Sequence, residues 1–399
     1  MEIRRNISVL ISISFFISFG LGGSLDSAKQ AYMDMKYGMF IHFSMATYEG
    51  QQWASPDCDP GMFNPSKLDC GQWADVAKQA GMKYMVLTPK HHDGFCLWPS
   101  EYTDHDVSSS SWKNGKGDLV REFVDSCRSR GLKVGLYYSI WDQKHGQDVN
   151  FIKNQLKELL TNYGPITSIF FDAWDWKIPY SEVPYEEINS FIKSIQPNCL
   201  VVNNSQEWSP KTSDIIAYEM GIHEWKNVEH LPDTNTIPSE TCETLAKNNN
   251  WFWNGHKTNR CVSANHILKL RKFLFDRNCN LLLNVAPDPS GLIPETQIKR
   301  LFETKLPYIR IISPNCNENF QKGSKVEIRY ESNMAGNLKI ELMHDGKVAR
   351  VINHSTRLNN YFEWQISKNI PNFKNCRIKI TSLKNPDIND KSDRYFTIN

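Results

Sequence analysis

Six side chains able to transfer protons, attack carbon or grip hydroxyls stand at the ends of apolar runs: His42, His91, His92, Tyr138, Asp172 and Glu219. Core packing favours apolar residues at such places, and an unpaired buried carboxylate is costly. Any one of them alone reads as a satisfied histidine or a capping carboxylate. Together they point to a site. Two carboxylates from different strands, set among His, Tyr and Trp, suit glycoside hydrolysis, in which one attacks the anomeric carbon and the other protonates the leaving oxygen. No cofactor and no metal are expected. His91 and His92 are adjacent, and neighbouring strand residues point to opposite faces. The ten cysteines include neither a CxxC pair nor a His-paired zinc spacing.

The elements that must position these groups follow from the hydrophobic pattern. Runs at 37–44, 83–90, 133–140, 168–174, 199–205, 214–219 and 280–287 are short and mostly apolar, as strands buried on both faces of a parallel sheet are. Amphipathic segments lie between them. In 118–130, Leu119, Val120, Phe123, Val124 and Cys127 share one helical face, and Gly131 supplies the stop. In 148–163, Phe151, Ile152, Leu156, Leu159 and Leu160 do the same. Seven or eight strands alternating with helices predict an α/β fold, a (β/α)8-like barrel, whose active site lies at the C-terminal strand ends. The rival is a doubly wound open sheet, but no glycine-rich nucleotide loop follows the first strand. After Pro307 the pattern changes to short strands separated by turn-formers such as Gly323, Gly336, Asp345-Gly346 and Asn359-Asn360, which predicts a small all-β sandwich over 308–399.

The first 23 residues read as a signal peptide: Arg4 and Arg5, an uncharged apolar stretch from Ile7 to Leu21, then Gly22, Gly23 and Ser24. The expected destination is secretory, extracellular or lysosomal, with no membrane span after cleavage. The catalytic barrel then covers 24–307. The cysteines agree with export, because disulfides persist in oxidising compartments. Cys316 and Cys376, the two in the sandwich, are expected to pair. Asn203-Asn204-Ser205 and Asn353-His354-Ser355 are glycosylation sequons, the first too close to the active face to be used. A net charge of +2 without a basic run gives nucleic-acid binding no support. The 12 Trp and 15 Tyr exceed what a core requires and suit sugar rings, whose apolar faces pack on aromatics.

Several blocks resemble the α-L-fucosidases of glycoside hydrolase family 29, over roughly residues 28–303. They are Tyr37-Gly-Met-Phe-Ile-His42-Phe, Lys90-His-His-Asp-Gly-Phe-Cys-Leu-Trp98, Gly135-Leu-Tyr-Tyr138-Ser, Phe170-Phe-Asp172 and Asn280-Leu-Leu-Leu-Asn284-Val. The resemblance implies that Asp172 is the nucleophile of a retaining exo-α-L-fucosidase. It implies that His42, His91, His92 and Tyr138 grip the sugar, and that Trp53 and Trp251 flank it. Glu219 matches the acid/base of some members, and Glu240 a second glutamate near the sugar that others were proposed to use. Gln52 stands where the family usually has Glu, Phe170 where a Trp is common, and no Arg follows the fifth strand near 203–208. The implied partners are fucosylated oligosaccharides or glycoproteins. The alternatives are another retaining exo-glycosidase or a transfucosylase on the same barrel, a non-catalytic fucose-binding protein, and a structural wall protein dominated by its sandwich. A sandwich of the cell-wall immunoglobulin-like type is also implied, by Ile312-Ser-Pro, Val326-Glu-Ile and Trp364-Gln-Ile.

Overall fold

A computed structural model describes residues 24–399 apart from 206, 220–230, 306, 308, 333–335 and 358. Eight parallel strands close into a barrel in sequence order: β1 (Tyr37–Ile41), β2 (Tyr84–Lys90), β3 (Lys133–Ser139), β4 (Ser168–Asp172), β5 (Leu200–Asn203), β6 (Ile215–Glu219), β7 (Ser239–Thr244) and β8 (Cys279–Val285). β8 returns to pair with β1, Tyr37 opposite Leu281. The helices are α1 (Leu25–Met35), α2 (Met45–Glu49), α3 (Cys70–Gln79), α4 (Leu119–Ser129), α5 (Val149–Asn162), α6 (Tyr185–Ile195), α7 (Ala264–Phe275) and α8 (Glu295–Glu303).

The strands form because nearly all of their residues have somewhere apolar to go. One layer fills the barrel, with Phe40, Tyr84, Val86, Tyr137, Phe170, Leu200, Val202 and Leu282. The other, with Ile41, Leu87, Leu136, Tyr138, Phe171 and Leu283, packs outward against the helices. The two layers come from alternate residues of each strand. The helices start where the sequence supplies a cap: Asp118 accepts from Arg121 N ahead of α4, and Asp148 from Phe151 N ahead of α5. After α4, Gly131 takes φ +74°, a left-handed turn that glycine adopts without penalty.

β7 is the strand that the hydrophobic pattern does not predict. Its sequence, Ser-Glu-Thr-Cys-Glu-Thr, is polar, yet every residue is buried. Some of its polar groups find partners: Glu240 Oε2 accepts from two tyrosines, and Thr241 lies 3.4 Å from Cys279.

The chain divides into two compact units, the first ending at Phe302 and the second running from Glu303 to Asn399. The division falls at the end of the last barrel helix, a few residues before the join expected at 307/308. The second unit has β9 (Ile309–Ser313), β10 (Asn319–Phe320), β11 (Lys325–Ser332), β12 (Asn337–His344), β13 (Lys347–Arg357), β14 (Tyr361–Gln365), β15 (Phe373–Ser382), β16 (Asn389–Lys391) and β17 (Phe396–Ile398). One sheet has the order β10-β17-β15-β12-β13, with β16 beside β15; the other is β14-β11-β9. Ile311, Val326, Ile328 and Trp364 from the smaller sheet share a core with Leu338, Ile340, Ile378 and Phe396 from the larger, making a β-sandwich.

All ten cysteines are free thiols, so the expected Cys316–Cys376 bridge is not formed. Cys376 is buried in the sandwich core on β15, whereas Cys316 is exposed on the segment between β9 and β10. Eight of the ten are buried. The expected signal peptide, residues 1–23, lies outside the described residues. Among the described residues no helix is long and apolar enough to cross a membrane.

Candidate active site

The C-terminal strand ends surround a cavity of about 590 Å³, within the range that holds a small ligand. His42 follows β1, His91 and His92 follow β2, Asp172 ends β4 and Glu219 ends β6; all five line it. Phe40, Tyr137 and Phe170 come from the strand interiors, and Trp53, Trp176, Trp208 and Trp251 from the loops. Trp53 is half exposed, and its ring meets His92 and Trp141 edge to face at 5.6 and 5.5 Å.

Asp172 is the most heavily hydrogen-bonded of these groups. Its Oδ2 accepts from Tyr137 OH at 2.8 Å. Its Oδ1 accepts from Ala173 N at 2.7 Å, Asn204 Nδ2 at 3.2 Å and Trp176 Nε1 at 3.3 Å. Ala173 takes φ +63° and Asp175 φ +76°, both in the left-handed region that costs non-glycine residues roughly 1–2 kcal/mol each. That sharp turn folds the chain back so that Ala173 N–H and the Trp176 indole reach the same oxygen.

Glu219 faces Asp172 from two strands away. Asn204, just past β5, donates from one nitrogen to both, at 2.9 Å to Glu219 Oε2 and 3.2 Å to Asp172 Oδ1. Those oxygens can therefore be no farther apart than the two bonds laid end to end, about 6.1 Å. Glu219 remains open to solvent at the strand end. Surrounding protein pushes its carboxyl above the usual range, the charge of Asp172 pushes the same way, and the Asn204 hydrogen bond pulls it back. Glu243, behind it on β7, is held up to about 9 by burial and then by the charge of Glu219.

The histidines are neutral acceptors. His42 is lowered to about 3 by burial, against the pull of Asn284. Asn284 Nδ2 donates to Trp251 O at 2.7 Å, so its Oδ1 must accept from His42 Nδ1–H, also at 2.7 Å, which leaves His42 Nε2 as a bare acceptor. Ser139 Oγ likewise donates to Trp141 O and so accepts from His92 Nδ1 at 2.7 Å. His92 Nε2 then sits 3.8 Å from Asp172 Oδ2, an acceptor beside a carboxylate, which together suit a hydroxyl proton from a ligand. Burial lowers His92, with Asp172 opposing, and lowers His91 further. His91 stacks on Tyr137 at 5.5 Å, and its Nδ1 has no partner among the described residues.

Several expectations need correction. Tyr138 does not reach the cavity: it points outward, its OH donating to Gln155 Oε1 at 2.7 Å and its ring lying under Lys90 Nζ at 4.0 Å. Tyr137 takes its place, because alternate residues of β3 face the barrel interior, and Tyr137 pairs with the inward Phe170 of β4. Glu240 also lies outside the cavity, sealed deeper in the barrel, where it accepts from Tyr32 and Tyr84. Burial holds it up to about 7 despite those two donors. His91 and His92 do not point to opposite faces, since both lie beyond the last residue of β2, and their rings converge at 4.0 Å.

Gln52, standing for the usual glutamate, ties two loops together: its Nε2 donates to Asn250 Oδ1 at 3.2 Å and its Oε1 accepts from Trp251 N at 2.7 Å. An ionised glutamate could not make the first of these bonds. Trp251 is thereby held over His42 at 5.0 Å. Asn203 of the first sequon is buried and donates to Tyr180 OH and Thr212 O. Asn204, Tyr137, Trp176 and Trp208 are among the lining residues that the sequence does not single out; the strand-end position of Asn204 after an apolar run is the available signal.

Comparison with known proteins agrees with this geometry. The α-L-fucosidase family model matches residues 59–304. α-L-Fucosidase 1 of Arabidopsis thaliana is 33% identical over 303 residues, covering 70% of this chain and 59% of that protein. The putative α-L-fucosidase 1 of Oryza sativa subsp. japonica is 32% identical over 287 residues, 66% of this chain and 55% of that one. The chain thus spans less than two thirds of the length of these curated relatives. A glycoside hydrolase 29 family member from an unknown rumen bacterium superposes with a TM-score of 0.63 at 27% identity, over 93% of this chain and 75% of that structure. With its barrel, its paired strand-end carboxylates and a family match over most of the barrel, the chain belongs to the α-L-fucosidases of glycoside hydrolase family 29.

Proposed function

We propose that this protein is a retaining exo-α-L-fucosidase that removes terminal α-L-fucose from glycans by double displacement. The observation that carries the reading is the single Asn204 nitrogen bonded to both Asp172 and Glu219. It brings their nearest oxygens inside the separation of about 6.5–9.5 Å that an inverting enzyme needs for an intervening water. Asp172, set firmly by four donors, is the nucleophile. One of its oxygens bonds to the anomeric carbon as the glycosidic bond breaks, and the leaving oxygen takes the proton of Glu219. The raised carboxyl of Glu219 suits a group that must be protonated at the start. Water then attacks the same carbon, Glu219 takes a proton from it, and the bond to Asp172 breaks.

His42, His91 and His92 accept from sugar hydroxyls, while Trp53, Trp251, Phe40 and Phe170 supply apolar walls for the ring face and the C5 methyl. The substrates are fucosylated oligosaccharides or glycoproteins. Residues 1–23 direct secretion, and Asn353, partly exposed on β13, is the sequon open to glycosylation. The test is the anomeric configuration of the first product, followed by NMR during hydrolysis of an aryl α-L-fucoside. α-L-Fucose is expected; β-L-fucose would overturn the double displacement.

A further inference from the structure

Two connections near the cavity, one between α2 and α3 and one between β2 and α4, bring together a set of ligands that the proposed hydrolysis does not use. Cys58 lies on the segment after α2, Asp93 on the turn after β2, and His105 on the segment before α4. One ligand atom from each, the Cys58 sulfur, an Asp93 carboxylate oxygen and a His105 ring nitrogen, lie within 4.8 Å of one another. Cys58 Sγ and His105 Nε2 are 3.9 Å apart. All three residues are buried, at 8%, 0% and 5% exposure. Asp93 Oδ2 accepts from Phe95 N at 3.2 Å, but Oδ1 accepts from nothing among the described residues. A fully buried carboxylate oxygen without a donor is expensive to leave unsatisfied.

We propose that Cys58, Asp93 and His105 bind one zinc ion, or a divalent cation of similar softness. A zinc–sulfur bond of about 2.3 Å and a zinc–nitrogen bond of about 2.05 Å at a tetrahedral angle place S and N roughly 3.6 Å apart, so the pair needs to close by only a few tenths of an ångström. A thiolate, an imidazole and a carboxylate are all zinc donors, and the two anions neutralise the dication, which suits a buried site. The Phe95 N–H on Asp93 Oδ2 would fix the carboxylate while leaving Oδ1 for the metal. Sequence spacing hides the site because Cys58 lies 35 residues before Asp93, and Asp93 12 residues before His105, so no CxxC or His-paired pattern exists to be read.

The ion acts as a staple. Cys58 lies five residues beyond Trp53, and Asp93 directly follows His92; Trp53 and His92 meet edge to face at 5.6 Å on the cavity rim. A metal joining Cys58 to Asp93 fixes that rim from behind without touching the sugar.

The test is metal uptake by the full chain in a Cys316→Ser background, which removes the exposed thiol. After chelator treatment the protein is given cobalt(II) or zinc(II) alone. One equivalent should be retained on gel filtration, cobalt should give a thiolate-to-metal charge-transfer band with tetrahedral ligand-field absorption, and zinc should raise the melting temperature. Cys58→Ser should abolish the charge-transfer band. His105→Asn should weaken uptake, and this second variant serves if the first does not fold. No retained metal in the wild-type protein would overturn the proposal. So would cobalt that binds without a thiolate band, or that is indifferent to Cys58→Ser, since it would then sit at His91, His92 and Asp172.

Discussion

Asn204→Ala removes the one donor that Asp172 and Glu219 share, and its effect can be worked through from the geometry. The amide makes two charge-assisted bonds, 3.2 Å to Asp172 and 2.9 Å to Glu219. A hydrogen bond to a charged group is worth about 1.5–3 kcal/mol. The bond to Glu219 is the shorter, but it is only part-buried at an exposed residue, so its share falls toward the low end. A loss of about 1.5 kcal/mol in transition-state stabilisation lowers kcat/KM about tenfold. The pH dependence is the sharper signature. The alkaline limb of kcat/KM reports the acid that must be protonated in the free enzyme. Asn204 pulls the carboxyl of Glu219 down, so removing it lets that carboxyl rise and moves the alkaline limb to higher pH. Asn204→Asp, which adds a negative charge between the two carboxylates, should move the limb further the same way. The assay is a pH series of kcat/KM on an aryl α-L-fucoside for the three proteins. An alkaline limb that stays fixed or moves to lower pH would refute the assignment of Glu219 as the acid.

Two further outcomes separate the site from its supports. Tyr137→Phe deletes the 2.8 Å bond to Asp172 and should lower kcat/KM by about 10–100-fold. Tyr138→Phe instead leaves Gln155 Oε1 without its phenol donor, so steady-state kinetics should be unchanged while urea unfolding shows a loss of about 1–3 kcal/mol. Glu240 makes stability depend on pH. With its carboxyl raised from 4.5 to about 7, its contribution is fully present below 4.5 and is lost as pH rises through about 7. The shift corresponds to about 3 kcal/mol. Urea unfolding of wild type should therefore weaken between about pH 5 and pH 8 relative to Glu240→Gln, which stays neutral throughout; parallel pH profiles would count against it.

Most of the barrel was legible because its strands are apolar on both faces, and a run such as Tyr84 to Leu87 admits few other readings. Asp172 and Glu219 stood out as carboxylates ending such runs. β7 was not legible, because Glu240 looks like a surface residue until Tyr32 and Tyr84, distant in sequence, arrive as its partners. The choice between Tyr137 and Tyr138 depends on which way β3 is phased in the pleat. Two adjacent tyrosines carry no such phase; the pairing of Tyr137 with Phe170 sets it. Nor could the sequence show that the turn after β2 turns both His91 and His92 into the cavity, since strand alternation stops at Lys90.

The central claim is that Asp172 bonds covalently to the sugar. Incubation with a 2-deoxy-2-fluoro-L-fucosyl fluoride, whose 2-fluorine slows both steps while its reactive fluoride leaving group keeps the first one fast, should let the intermediate accumulate. Peptide mass mapping of the inactivated enzyme should then find one fluorofucosyl group on Asp172. An adduct on another carboxylate, or inactivation with none, would contradict the account.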